Sequence, residues 1–189
     1  MITGMQTLAF PLVVEFGWTK EIEDRLLAPM ATGLVAAEKV VFASLRAIVA
    51  TTVMIPVGIL VLGSIPWRWS GVPLLVLTLI LGSLLGSGLG LVLGTLVVPN
   101  RINIVFSLVF TPLLFTGCSQ YPWPSLSRLP WFQVVTAANP ITYVSESMRA
   151  ALVPSVPHIH PWICMVVLVC ALTVLMAIGV RGFYRRAID

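Results

Sequence analysis

Residues 72–98 carry no charged side chain, and residues 150–180 carry no Asp, Glu, Lys or Arg. Apolar runs of this length match the roughly 20 residues that an α-helix needs to cross the ~30 Å hydrocarbon core of a bilayer. Charged residues make up 10% of the 189-residue chain, against about 25% in a soluble domain. The mean hydropathy is +1.02. These features define an integral membrane protein. The runs are continuous and rich in Leu and Val, whereas barrel strands are short segments of alternating polarity, so the spans are helical.

The expected fold is an all-α membrane protein, a polytopic helical bundle. It has four spans, at residues 40–62, 72–98, 102–118 and 161–180, and a partial N-terminal span at residues 1–16. Residues 1–14 lack the basic start of a signal peptide and read as the tail of a span, so the chain is expected to begin partway through one. Residues 31–39 read as a connection closing on Glu38 and Lys39. Pro56 would kink the span at 40–62, and Pro112 interrupts the short span at 102–118. Residues 119–160, with six prolines and two tryptophans, are too apolar for a soluble loop. They read as an outer re-entrant hairpin of two short helices. The second starts at Asn139 as N-cap with Pro140 in the first helical position, and Glu146 and Arg149 are spaced to pair along it.

The charged residues concentrate elsewhere. Glu15, Lys20, Glu21, Glu23, Asp24 and Arg25 hold a third of the chain's formal charges. Such a cluster belongs at or beyond the membrane surface. Residues 18–30 read as a short helix, with Thr19 as N-cap, acidic residues in its first turn, a Glu21–Arg25 i,i+4 pair and Pro29 at its end. Two readings are open, a solvated linker or a docking helix for a soluble partner. The basic residues decide its side. Lys20, Arg25, Lys39, Arg46, Arg101, Arg181, Arg185 and Arg186 fall on one side, and Arg68, Arg128 and Arg149 on the other. The positive-inside rule makes the first side, and the C-terminus, cytoplasmic.

Gly82, Gly86, Gly90 and Gly94 recur every four residues in one span. This repeated small-xxx-small face permits close helix packing, within the chain or across a dimer.

Several functions are excluded by what the spans lack. No Asp, Glu, Lys or His lies between Leu45 and Val98, between Ile104 and Phe115, or between Ile163 and Val180. Proton- and sodium-coupled carriers need such groups near the midplane, and neither a channel filter nor a phosphate-binding loop is present. Uphill transport would draw its energy from another chain. Cys118, Cys164 and Cys170 have no metal or redox spacing. His158 and His160 are too few for a metal site, and no span carries a catalytic constellation. The scattered net charge of +4 points to no nucleic-acid partner.

Three features together resemble the membrane permeases of ABC type-2 transporters, such as drug, polysaccharide and nodulation-factor exporters. The first is Glu21-Ile22-Glu23-Asp24-Arg25-Leu26-Leu27-Ala28-Pro29 between two spans. The second is Asn139-Pro140-Ile141-Thr142-Tyr143, followed by Glu146 and Arg149, before the last span. The third is a Gly- and Leu-rich span followed by a short span and a Pro/Trp-rich segment. The family has six spans, and the resemblance implies that the first span and the start of the second are absent here.

It further implies a permease subunit of an ATP-driven exporter in the cytoplasmic membrane of a bacterium, working as a homodimer or heterodimer with ATP-binding subunits. Glu21, Glu23, Asp24 and Arg25 would couple to the ATPase. Asn139, Pro140, Tyr143, Glu146 and Arg149 would shape the outer hairpin. The chain itself would bind no cofactor and hold no catalytic residue, with ATP and magnesium on the partner subunit. The rival reading is a shortened, non-transporting scaffold that assembles with a full permease.

Overall fold

The computed structural model describes residues 1–16, 32–63, 69–97 and 101–188. The described residues are mostly helical and hold no strand. They form α1 (Ile2–Val14), α2 (Thr32–Leu62), α3 (Val72–Leu96), α4 (Ile102–Phe115), α5 (Pro130–Ala137), α6 (Pro140–Leu152) and α7 (Pro161–Ile188), with short 3₁₀ segments at Trp69–Gly71 and Trp123–Arg128.

Among the described residues, three stretches are long and apolar enough to cross a membrane: Gly33–Val61, Trp69–Leu96 and Pro161–Arg186. In the second, 56% of the most apolar window is buried, against 22% in each of the others. The lower burial leaves large apolar side chains outward, Leu60 at 86% exposure and Val61 at 75% among them. Such surfaces suit hydrocarbon, where outward leucine costs nothing. The chain is a multi-pass membrane protein.

Several element boundaries differ from the sequence reading. Residues from Thr32 onward, read as a connection up to residue 39, are the first turns of α2. Ala36, Ala37 and Glu38 are strong helix formers, and Val35 and Ala36 are buried, so packing holds these turns helical. Helix α7 does not stop at Arg181 but continues to Ile188, because Phe183 is completely buried. Helix α4 ends at Phe115, short of the expected residue 118. Its 14 residues span about 21 Å, less than the ~30 Å hydrocarbon thickness.

The chain divides into two compact units. The first comprises Met1–Ala50, Ser83–Leu108 and Leu172–Asp189. Its core gathers Leu8 and Leu12 of α1, Val35, Ala36, Val40 and Ala43 of α2, Leu91 of α3 and Phe183 of α7. Small residues let α1 lie almost on the backbone of α3. Ser44 donates to the Ser87 hydroxyl (2.9 Å), which donates to Ser83 O (3.0 Å). The second unit comprises Thr51–Gly82 and Val109–Ala171. It holds both short helices, α5 and α6, of the segment read as a hairpin.

Candidate functional site

The Asn139–Arg149 motif forms a dense polar cluster in the second unit. Asn139 adopts an extended backbone (φ −87°, ψ 120°), and its side chain accepts from Ile141 N–H. It is therefore the N-cap of α6, and Pro140 follows where a missing N–H costs nothing. Its amide nitrogen donates to Leu113 O (2.7 Å) and Thr116 Oγ1 (2.8 Å). One side chain thus closes the start of α6 and the end of α4.

The rest of α6 continues this capping. Carbonyls at a helix C-terminus lack intrahelical partners, and α4 with the strand of chain after it presents a run of them. Thr142 Oγ1 donates to Thr136 O (2.7 Å) and lies 3.2 Å from Thr116 O. Ser145 Oγ donates to Gly117 O (2.9 Å), and Arg149 Nη2 reaches Cys118 O (3.0 Å) and Tyr121 O (3.4 Å). Asn139, Thr142, Ser145 and Arg149 are three or four residues apart, so they lie in one row along the helix. Tyr143 donates to Ala137 O (2.8 Å), tying α6 to α5. Cys118 takes a left-handed conformation (φ 50°) where the chain turns beneath this row.

Glu146 is the centre of the cluster and is fully buried. One carboxylate oxygen accepts Trp123 N–H (2.9 Å) and the Arg149 guanidinium, and the other accepts Ile159 N–H (2.9 Å). A buried carboxylate is tolerable only when paired and hydrogen-bonded, and here both oxygens are engaged. Glu146 joins α6 to the 3₁₀ segment at Trp123 and to the chain leading into α7. The structure therefore places Asn139, Pro140, Tyr143, Glu146 and Arg149 on one helix, with Glu146 and Arg149 paired, Asn139 and Arg149 bonded to the chain around the end of α4, Tyr143 bonded to α5, and Pro140 in the first helical position. Ser145 was not singled out from the sequence, and Thr142 stood in the motif without a role, although the polar row at helical spacing was the available signal.

The glycines meet different neighbours. A Cβ on Gly86 would lie 2.1 Å from Met1 O, one on Gly90 2.8 Å from Met5 O, and one on Gly94 2.8 Å from the Leu12 Cβ. All three face α1 of the same chain. Gly82 instead faces Val144 of α6, at 3.3 Å. Positions four residues apart drift about 40° around a helix of 3.6 residues per turn, so a run of four need not share one neighbour. The expected coupling residues Glu21, Glu23, Asp24 and Arg25 lie outside the described residues.

Comparison with known proteins adds the family. The family model described as ABC-2 type transporter matches residues 3–153. Neither a curated protein nor a solved structure gives a match. The match takes in α1 through α6, including the Gly-rich helix and the complete Asn139–Arg149 cluster. The chain belongs to the ABC-2 type transporter family.

Proposed function

We propose that the chain is the membrane-spanning permease subunit of an ATP-driven exporter, coupled to a separate ATPase subunit. The observation that carries this reading is the family match over residues 3–153 in a chain without a phosphate-binding loop. Its only lysines, Lys20 and Lys39, follow Thr19 and Glu38 rather than glycine. ATP and magnesium would bind the partner subunit, and the chain would contribute the substrate path and no catalytic residue. Closure of the ATPase subunits would push on the segment holding Glu21, Glu23, Asp24 and Arg25. The displacement would change access to a path between two permease copies, identical or different. The Asn139–Arg149 network would keep the hairpin rigid while this happens. The distribution of basic residues supports a cytoplasmic C-terminus, and the resemblance to drug, polysaccharide and nodulation-factor exporters is the ground for a bacterial plasma membrane.

The test is co-purification from native membranes. A tagged chain is solubilised gently beside a variant carrying Glu23→Arg and Arg25→Glu. The expected result is an ATPase subunit held by the native chain and lost from the variant. An ATPase held equally by both would move the contact away from this segment. No ATPase with the native chain would overturn the permease reading.

A further inference from the structure

Residues 17–31 join the bundle at two points, the end of α1 and the start of α2. Four sets of contacts converge there, all within the first unit. Glu15 caps the C-terminus of α1, and both its carboxylate oxygens lie 2.5 Å from Lys39 Nζ. Lys39 is seven residues into α2, so the pair reaches about 10 Å along that helix from Thr32. The pair is largely enclosed, at 15% and 17% exposure. Next to Glu15, the Phe16 ring packs edge-on against Phe183 of α7 (5.3 Å) and lies under the Arg186 guanidinium (5.2 Å). Arg186 Nη1 in turn lies within 3.2 Å of Gly94 O, Thr95 O and Val97 O, the terminal carbonyls of α3. At Gly33 a Cβ would come 2.6 Å from the Tyr184 hydroxyl, so the start of α2 also lies against α7.

The apolar contacts between α1 and α2 are non-directional and by themselves permit one helix to slide past the other. An ammonium against both oxygens of an enclosed carboxylate is a pairing of two specific groups, and sliding that parts them leaves two enclosed charges unpaired. We propose that Glu15 and Lys39 are positioning residues of the transport cycle. The pair locks the register of α1 and α2, so that a push on the segment between them moves both helices as one body, and Phe16 and Arg186 pass that movement to α7 and α3. This inference rests on the permease reading above, and it assigns the transmission step to residues outside residues 18–30, where the coupling helix is expected.

The experiment uses the intact complex with its co-purified ATPase subunit. Spin labels are placed at Gln6→Cys on α1 and Leu45→Cys on α2, both exposed, in a Cys170→Ala background; Cys118 and Cys164 are buried. Their separation is read by electron paramagnetic resonance before and after trapping nucleotide with vanadate. In the native pair the separation is expected to stay constant through the cycle. In Glu15→Gln and in Lys39→Met, with the ATPase still bound, trapping should raise a separated population about tenfold, equivalent to about 1.4 kcal/mol. The exchanged pair, Glu15→Lys with Lys39→Glu, should restore the native result. A separation that shifts equally in native and single-variant proteins, or that shifts in none of them, overturns the inference and leaves the permease reading intact. If the single variants fail to assemble, the exchanged pair decides, and its failure to assemble or to hold the separation also overturns the inference. Absence of an ATPase from the native preparation overturns the permease reading, and this inference with it.

Discussion

Replacing Glu146 with Gln tests whether one buried carboxylate holds the Asn139–Arg149 cluster together. The substitution keeps the shape and one carbonyl acceptor, but it removes the charge opposite Arg149. With the amide oxygen on the Trp123 side, Arg149 keeps a neutral acceptor and Ile159 N–H loses its own; with the amide turned over, Trp123 N–H loses its acceptor and Arg149 is left with only the Cys118 and Tyr121 carbonyls. Removing one member of a buried ion pair costs about 3–5 kcal/mol, and the lower end applies because the Arg149 side chain retains 14% exposure. The expected loss for Glu146→Gln is therefore about 3 kcal/mol. The double variant Glu146→Gln with Arg149→Met removes both charges. It leaves one backbone N–H and the carbonyls that Arg149 reached without those partners, at about 1–3 kcal/mol for each buried orphan, but no unpaired charge, so its loss should be smaller than the sum of the losses of Glu146→Gln and Arg149→Met. The assay is the unfolding free energy of the purified chain, from SDS titration in mixed micelles. A single variant within about 0.5 kcal/mol of the native chain, the range of an ordinary surface substitution, would refute the reasoning. A double variant whose loss equals or exceeds the sum of the two single losses would also refute it.

Two further outcomes follow from the same contacts. At Gly88 an added Cβ meets only ordinary contacts, Leu175 at 3.5 Å being nearest, whereas at Gly90 it meets Met5 O at 2.8 Å. Gly88→Ala should therefore stabilise by about 0.5–1 kcal/mol through backbone entropy while Gly90→Ala destabilises, and thermal unfolding of the two variants would show opposite signs. Asn139→Asp keeps the acceptor that caps α6 but places an oxygen against Leu113 O and Thr116 Oγ1. It should lower the melting temperature more than Asn139→Ser, which retains a cap without that repulsion, and equal melting temperatures would show that the cap alone matters.

How far the sequence could be read depends on the distance over which each signal acts. The N-cap at Asn139, Pro140 beside it and the Glu146–Arg149 spacing are local rules, legible within a few residues, and the structure has each of them. The start of α2 was missed because Glu38 and Lys39 look like surface charges. Their segment is helical because Val35 and Ala36 are buried in a core built from four helices, and Lys39 meets Glu15 from 24 residues away. The continuation of α7 past its basic residues has a similar cause, with Phe183 in that core and Arg186 on the end of α3. The partners of the carbonyls after α4 were not readable for the same reason, since those capping side chains lie 23–31 residues further along the chain.

The sequence by itself determined the solvent this protein folds in, the helical class and the family resemblance. These follow from composition, uninterrupted apolar length and short motifs, and hydrocarbon allows few other backbones to satisfy their hydrogen bonds. Only the tertiary structure decided which partners the polar groups take. It placed Gly86, Gly90 and Gly94 against α1, enclosed Glu146 among Trp123, Arg149 and Ile159, and set Lys39 on Glu15. A buried charge needs a specific neighbour rather than a kind of environment, and which neighbour it meets depends on how the chain returns to it.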